Sequence, residues 1–406
     1  MKSIIKMLMA FMVLILFVTG CKYDVAEPPW EQDFVNPPTP VITEIQPANV
    51  APAGINTITI VGENFAETVE DNKVYFDNVN AEIITASTNS IKVYRPNMVS
   101  DSSTIWVVSY DAIVTAKYAP YKIDQVMERY GEFRDNNQLG AIAVDQDENM
   151  YAIEITTVYK IAPDGEKIFI GQIGGNAYDA RIGPSGELVI LMNSNVISQM
   201  DDATGEVTKW AEVAKRVRYG DFDSQGNFYA TGRKAGLYIV AQGDTVGESV
   251  TVEGTTNAYL NDIVYWVRAY HDNHTGKEYI YLLVELSDPD ENNPGIAIWR
   301  HEILDANGNL SERELVLDWS TTDEFADSNP ATFAVTEDSD GTIIYVGSDS
   351  TDPILMFDPD KNSQDILYKG ILPSSAQKLE WGNANYLYMV LGGDENNIIR
   401  IDMGNE

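Results

Sequence analysis

A set of aromatic and polar residues, all but Arg233 at comparable points of a repeated pattern, has the chemistry of a carbohydrate site. The members are Tyr178, Asp179, Tyr219, Arg233, Tyr259, Asn261 and Lys378. The C–H bonds of a sugar ring stack on aromatic faces, and its hydroxyls require paired hydrogen-bond donors and acceptors. Because tyrosine rings occur here beside amide, carboxylate and cationic groups, we predict that this set binds a ligand.

Charged residues follow this set along the same predicted strands. Arg181, Asp221 and Glu380 each come two residues after a member of the set, and alternate residues of a strand share one side. Two interpretations stay open from the sequence. The charged groups bind a ligand together with the set, or they pair with one another, as Asp179 with Arg181 and Lys378 with Glu380.

Catalysis is a further possibility, because clustered carboxylates hold calcium or act as an acid–base pair. The carboxylates available for this are Asp179, Asp221, Asp262 and Glu380. The sequence contains no serine elbow, P-loop, HExxH or dinucleotide-binding glycine pattern. His271 and His274 have no evident third ligand, so we expect an exposed turn there. We therefore predict no catalytic residue, no metal and no cofactor.

The candidate residues belong to a unit that recurs about every 35 to 45 residues, a spacing typical of propellers and solenoids. Each unit has a strand, a polar turn and a second strand, as in residues 141–152, 179–190 and 219–230. Gly, Asn and Asp in these turns favour the backbone angles that tight hairpins need. A third strand follows in several units, and four strands per unit are typical of a propeller blade.

The repeats predict that residues 123–406 form a closed wheel of six units. The units begin near Gly140, Tyr178, Arg218, Asn261, Pro330 and Gln377. The last unit ends with its third strand at 398–402, so we predict that residues 122–134 supply its fourth strand and close the ring. The whole resembles six-bladed β-propellers of the NHL type. That resemblance implies a central channel lined by the first strands, with the ligand face at the end where the candidate set lies.

Residues 40–122 have a different pattern, with short alternating strands that predict a small β-sandwich. The sequence I-x-P at 45–47, followed by I-T-I-x-G-x-N-F at 58–65, resembles the IPT/TIG family of immunoglobulin-like domains. We expect Gly62 where a strand turns sharply and Phe65 in the core. The resemblance implies a spacer domain. Since both folded parts consist of strands, the predicted fold class is all-β, an immunoglobulin-like β-sandwich followed by a six-bladed β-propeller.

The amino terminus predicts export and lipid anchoring. A basic start, the apolar run 7–18 and the sequence V-T-G-C at 18–21 resemble a bacterial lipoprotein signal. Residues 1–20 would be removed and Cys21, the only cysteine, would be acylated. The proline-rich residues 21–39 predict an extended tether, and the K-Y-D-V-A-E after Cys21 resembles the surface-export signals of Bacteroidota lipoproteins.

Charge and layout narrow the function. With 27 basic and 62 acidic residues among 406, the net charge of −35 repels phosphate backbones, so we exclude nucleic acid as a partner. The layout resembles that of Bacteroidota surface glycan-binding proteins. We predict a non-catalytic lipoprotein on the outer-membrane surface, held there by its lipid alone, that binds a glycan or peptide and acts with an outer-membrane transporter complex. The alternatives are a scaffold or peptide-binding subunit docking onto that transporter, and a propeller enzyme such as a lactonase, lyase or glycosidase.

Overall fold

The described part of the chain is β-structure with one short helix. The computed structural model describes residues 38–110, 112–134, 138–252, 255–256, 258–338, 341–393 and 396–404. The predicted signal peptide, Cys21 and the tether up to residue 37 lie outside these residues. The helix is a 3-10 turn, Trp319–Thr321. Within the described ranges, no helix has the length and hydrophobicity to cross a membrane.

The first nine strands form a sandwich of two sheets. They are β1 (Val41–Gln46), β2 (Val50–Ala51), β3 (Thr57–Glu63), β4 (Asn72–Phe76), β5 (Val79–Ala81), β6 (Ile83–Ser87), β7 (Ser90–Tyr94), β8 (Ser100–Ser109) and β9 (Ala116–Ile123). One sheet has the order β1-β3-β7-β6 and the other β2-β9-β8-β4-β5. Alternate apolar residues such as Ile58, Ile60, Val74 and Phe76 are fully buried between them, which confirms the predicted immunoglobulin-like sandwich.

Gly62 has a role other than the predicted turn. Strand β3 continues through Gly62 to Glu63, so the sharp turn is absent there and that prediction was wrong. A Cβ atom on Gly62 would lie 2.0 Å from the carbonyl oxygen of Val41 and 2.4 Å from the ring of Phe65. Phe65 is buried in the core, as predicted. Glycine is required because the ring and the neighbouring strand both approach the backbone closely.

The rest of the chain forms six four-stranded sheets, the blades of a propeller. After β10 (Met127–Tyr130), blade 1 has β11 (Leu139–Val144), β12 (Met150–Glu154), β13 (Thr157–Ile161) and β14 (Lys167–Gln172). Blade 2 has β15 (Asp179–Ile182), β16 (Leu188–Leu191), β17 (Ser194–Met200) and β18 (Val207–Val217). Blade 3 has β19 (Tyr219–Phe222), β20 (Phe228–Thr231), β21 (Leu237–Val240) and β22 (Glu248–Ser249).

The second half of the wheel begins after a small hairpin, β23 (Thr251–Val252) and β24 (Thr255–Thr256). Blade 4 has β25 (Ile263–Asp272), β26 (Lys277–Glu285), β27 (Ile296–Glu302) and β28 (Glu314–Asp318). Blade 5 has β29 (Pro330–Asp338), β30 (Gly341–Ser348), β31 (Ile354–Asp358) and β32 (Ser363–Ile366). Blade 6 has β33 (Ala376–Trp381), β34 (Tyr386–Leu391) and β35 (Ile398–Asp402).

Strand β10 closes the ring, as predicted. It pairs antiparallel with β35, with Met127 opposite Ile401 and Tyr130 opposite Ile398. The first strands of successive blades lie side by side around the centre, and β33 lies beside β11. This confirms six blades around a channel. We call the end of the channel where the first strands begin the upper mouth, and the end where they finish the lower mouth.

The sandwich packs against the outer edge of blade 5. The amide of Asn56 donates to the carbonyl oxygen of Ile366 at 2.8 Å and accepts from the backbone N–H of Tyr368 at 2.7 Å. The hydroxyl of Tyr368 accepts from the backbone N–H of Gly54 at 2.7 Å. These hydrogen bonds join residues of the sandwich to residues of the propeller and fix the two domains side by side.

Candidate functional site

Charged side chains from four blades meet in the central channel, in a cluster that we call the hub. Its members are Asp179, Arg181, Asp221, Arg268, Lys378 and Glu380. Two arginines bridge the channel: Nη1 of Arg181 lies 2.5 Å from Oε2 of Glu380, and Nη2 of Arg268 lies 3.2 Å from the same oxygen. The hub thus joins blades 2, 4 and 6 directly across the centre of the wheel.

The remaining carboxylates of the hub contact the same two guanidinium groups. Nε of Arg181 lies 3.3 Å from Oδ1 of Asp221 and donates to the carbonyl oxygen of Gly220 at 3.1 Å. Asp179 lies 3.8 Å from Arg181 and 3.7 Å from Arg268. It also accepts a hydrogen bond from the backbone N–H of Gly220 at 3.2 Å. The pairing of Asp179 with Arg181 that the sequence left open is therefore present.

Lys378 has a different partner from the one considered in the sequence. Its ammonium group donates to the carbonyl oxygen of Tyr178 at 2.6 Å rather than to Glu380. It lies 4.8 Å from the ring centre of Trp266 and 5.9 Å from that of Tyr219. The guanidinium of Arg268 also covers Trp266, at 4.3 Å. The aromatic faces near the upper mouth are therefore held by internal cation–π contacts.

Burial raises the pKa values of the hub carboxylates and lowers that of Lys378. Desolvation raises the pKa of Asp221 and that of Glu380, each to about 7, although Arg181 opposes both shifts. Desolvation also raises the pKa of Asp179. The pKa of Lys378 falls to about 8, because burial disfavours its charged form. Burial therefore opposes the charged forms of these groups, while Arg181 favours the charged forms of the carboxylates.

Two buried donors in this region are unsatisfied. Nη2 of Arg181 and Nε1 of Trp266 have no hydrogen-bond partner among the described residues, although their residues are only 5% and 2% exposed. A buried donor without an acceptor is costly.

The structure brings part of the predicted set together at the upper mouth. Tyr178, Asp179, Tyr219 and Lys378 contact one another or the hub, and the ring of Tyr178 carries the guanidinium of Arg218 at 4.6 Å. Arg233 and Asn261 are exposed beside the first strand of blade 4. They lie on the rim rather than in the hub.

Tyr259 does not reach the channel. Its residue is 7% exposed and packs in an apolar cluster between blades 3 and 4. Its hydroxyl lies 2.6 Å from Nε2 of His301, which belongs to the third strand of blade 4. The predicted position at the mouth was wrong because blade 4 is entered by a longer connection, and its first strand begins only at Ile263.

Two important residues, Trp266 and Arg268, were missed by the sequence reasoning. Strand β25 is ten residues long and has an irregular register between Val264 and Trp266. Because unit 4 was aligned with the other units from Asn261, the residues of its first strand were matched to the wrong positions of the other first strands. A usable signal was the spacing itself, since Trp266-x-Arg268 repeats the alternation seen in Asp179-x-Arg181.

The carboxylates do not form a cation site. Arg181 occupies the space between Asp221 and Glu380, where a calcium ion would be needed. Among the described residues, no three His, Cys, Asp or Glu side chains are grouped to hold a metal ion. His271 and His274 are exposed at the end of β25 and in the turn after it.

Comparison with known proteins identifies the first domain and supports the overall fold. Residues 40–121 match the IPT/TIG domain family. An auxiliary nutrient binding protein from Bacteroides thetaiotaomicron is 11% identical, with a TM-score of 0.51 over 91% of this chain and 99% of its own. The chain is thus an IPT/TIG domain followed by a six-bladed β-propeller.

Two more solved structures are similar in outline. An auxiliary nutrient binding protein from Bacteroides ovatus is 12% identical, with a TM-score of 0.47 over 91% of this chain and 99% of its own. A gluconolactonase from Xanthomonas campestris is 11% identical, with a TM-score of 0.48 over 75% of this chain and 91% of its own. No curated protein sequence matches the chain.

Proposed function

We propose that this protein is a non-catalytic, lipid-anchored binding protein of an outer-membrane nutrient uptake system, and that its upper mouth binds a glycan. The observation that carries the proposal is the convergence of side chains from four blades around two unsatisfied buried donors, Arg181 Nη2 and Trp266 Nε1. Hydroxyl oxygens of a sugar are suitable acceptors for both. The name of the Bacteroides thetaiotaomicron protein of similar fold, an auxiliary nutrient binding protein, agrees with this function.

The chemistry of the hub supports binding over catalysis. Each of its carboxylates lies within 4 Å of an arginine, as the distances of Asp179, Asp221 and Glu380 show. A carboxylate used as nucleophile, base or metal ligand must present its oxygens to the substrate or ion. Here the arginines already engage these oxygens, and the resulting network is suited to holding a fixed polar surface.

Affinity gel electrophoresis tests the ligand class. The full-length protein in detergent is run through gels that contain one polysaccharide each, from a panel of plant and microbial glycans. Tyr178→Ala removes a ring at the upper mouth and should weaken retardation about tenfold, the usual scale for an aromatic contact residue. Tyr110→Ala is the matched control, because that tyrosine is 69% exposed on the sandwich domain.

Three results would count against the proposal. Retardation that is equal in the wild type and in Tyr178→Ala would remove the upper mouth from the binding surface. Glycan cleavage products in the wild-type incubation would replace binding with catalysis. Absence of retardation by every glycan in the panel would refute the ligand class.

The anchor is tested separately. Cys21→Ser removes the thiol that a lipoprotein signal requires. We expect loss of incorporated fatty acid and release from the outer-membrane fraction, while protease accessibility of whole cells reports surface exposure. Labelled fatty acid that persists in Cys21→Ser would disprove acylation at this position.

A further inference from the structure

The lower mouth contains a cavity of about 440 Å³ that is lined by residues of blades 1, 2, 3 and 6. Part of its wall is apolar and comes from equivalent positions, the last residues of the first strands in blades 1, 2 and 3: Val144, Ile182 and Phe222. The volume is within the range of roughly 300 to 1,000 Å³ that is usual for small-ligand sites. The cavity is open to solvent, and the turns that join the first and second strands supply part of its lining.

Amide side chains surround this apolar wall. Gln146, Gln225, Gln242 and Asn383 line the cavity and are exposed. Each primary amide offers both donors and an acceptor. Lysine and arginine are absent from the described residues that line it, in contrast to the hub above.

The carboxylates of the cavity are engaged by their own turns. Oδ1 of Asp145 accepts from the backbone N–H groups of Asp147 at 3.0 Å and Asn149 at 2.8 Å. Oδ1 of Asp223 accepts from those of Gln225 at 3.0 Å and Asn227 at 2.8 Å. These bonds stabilise the turns and occupy both carboxylates, so the side-chain amides supply further polar groups of the lining.

Glu148 fixes the blade 6 side of the cavity. Its residue is 7% exposed, and its Oε2 accepts from the backbone N–H groups of Asn383 at 2.5 Å and Ala384 at 3.1 Å. Its Oε1 accepts from the hydroxyl of Tyr388 at 3.0 Å. The side chain of Asn383 donates to the carbonyl oxygen of Asp145 at 2.6 Å. The turns of blades 1 and 6 are therefore locked together, so the cavity is formed before any ligand arrives.

We propose that the lower mouth is a second, independent binding site that takes a neutral saccharide unit. An apolar wall with a half-buried phenylalanine suits the C–H face of a sugar, and the surrounding amides suit its hydroxyls. Neutral sugars are favoured because the lining presents no cation to an acidic group. The site shares its ligand class with the proposed function but uses other residues at the opposite end of the channel.

The test compares variants of the two mouths of the full-length protein in gels that contain xyloglucan, galactomannan or starch, with polygalacturonate as the acidic comparison. The double variant Gln146→Ala/Gln225→Ala should weaken retardation by a neutral polysaccharide about tenfold, as expected for two lost amide contacts. Gln172→Ala, an exposed glutamine on the outermost strand of blade 1, should leave it unchanged. Phe222→Leu keeps an apolar side chain and should give a further decrease by removing the ring.

The outcomes separate the two proposals. A loss in the double variant that is absent from Tyr178→Ala supports the lower mouth and counts against the upper one. A loss in Tyr178→Ala alone overturns the lower site and leaves the proposed function standing. Equal retardation of the double variant and the wild type, retardation by polygalacturonate alone, or retardation by none of the neutral glycans would each overturn this inference.

Discussion

The two ends of the propeller channel are built from the same repeats but differ in how far their polar groups are already paired. At the upper end, Arg181 and Arg268 connect carboxylates of blades 2, 3 and 6, and cations cover the ring of Trp266. At the lower end, short turns satisfy their own aspartates and leave glutamines projecting into a cavity. The same fold thus produces a paired ionic cluster at one end and an open neutral surface at the other.

The contrast between the two ends of the channel shows that residue type alone does not identify a binding surface. Tyrosines next to carboxylates satisfied the sequence criterion for a sugar site, yet several of these groups contact each other through Lys378 and Arg218. The amides of the lower mouth were not predicted as site residues, because polar residues in turns are usually solvated. Whether a polar group is engaged elsewhere depends on contacts between blades that are distant in sequence.

Breaking the ionic cluster should destabilise the protein most. Arg181→Met removes the group that contacts Asp179, Asp221 and Glu380, and leaves buried carboxylates without that partner. We expect a loss of about 3 to 5 kcal/mol in the free energy of unfolding at pH 8, as for other broken buried pairs. Urea denaturation followed by tryptophan fluorescence measures it.

A matched change at the lower mouth sharpens the contrast. Gln225→Ala removes an exposed side chain and should change stability by less than about 0.5 kcal/mol. Lys277→Met, which breaks an exposed ion pair with Glu302, should leave the urea midpoint nearly unchanged, because exposed ion pairs contribute little. If Arg181→Met were no worse than these controls, the cluster would contribute little to the stability of the wheel.

The pH dependence of stability should also depend on the upper cluster. Folded Glu380 holds its proton up to about pH 7, because burial raises its pKa, whereas the unfolded chain releases it near 4.5. Between these values the folded state binds more protons, so stability falls as pH rises. One group contributes up to about 1.4 kcal/mol per pH unit, and Glu380→Gln should make the fall between pH 5 and 7 shallower.

Urea midpoints at pH 5, 6, 7 and 8 give this slope. Asp201→Asn is the control, since hydrogen bonds from Thr204 lower the pKa of that exposed aspartate. Its contribution is therefore lost only in more acidic solution, and the slope between pH 5 and 7 should not change. An unaltered slope in Glu380→Gln would mean that the carboxyl group of Glu380 does not titrate between pH 5 and 7.

Tyr259 separates a structural tyrosine from the binding surface. Tyr259→Phe leaves Nε2 of buried His301 without the hydroxyl that lies 2.6 Å away. We expect a loss of about 1 kcal/mol in the free energy of unfolding, the usual net contribution of one hydrogen bond. Polysaccharide retardation should equal that of the wild type, and a selective loss of binding with full stability would return Tyr259 to the site.

The architecture followed from the sequence because it depends on local patterns. Hairpin turns at regular spacing gave the six units within two residues of the observed strand starts, and the unfinished last unit required the strand that β10 supplies. The site was harder, because the irregular register at Val264 and Trp266 shifted the alignment of blade 4. Arg268 was missed for that reason, and the partner of Lys378 is a backbone oxygen that no residue pattern encodes.

The smallest expected effect concerns Arg233, which is exposed at the edge of the upper mouth. Arg233→Ala should leave the free energy of unfolding within about 0.5 kcal/mol, because exposed side chains rarely contribute more. Under the proposed function it should weaken glycan binding only about two- to threefold, since rim contacts are partly solvated. Isothermal titration with the glycan that gives the strongest retardation measures this against Gln242→Ala, a rim variant of the lower mouth. A tenfold loss of glycan affinity in Arg233→Ala would place the binding surface on the rim rather than at the hub. An exposed cation would then contribute more to binding than the paired groups of the hub.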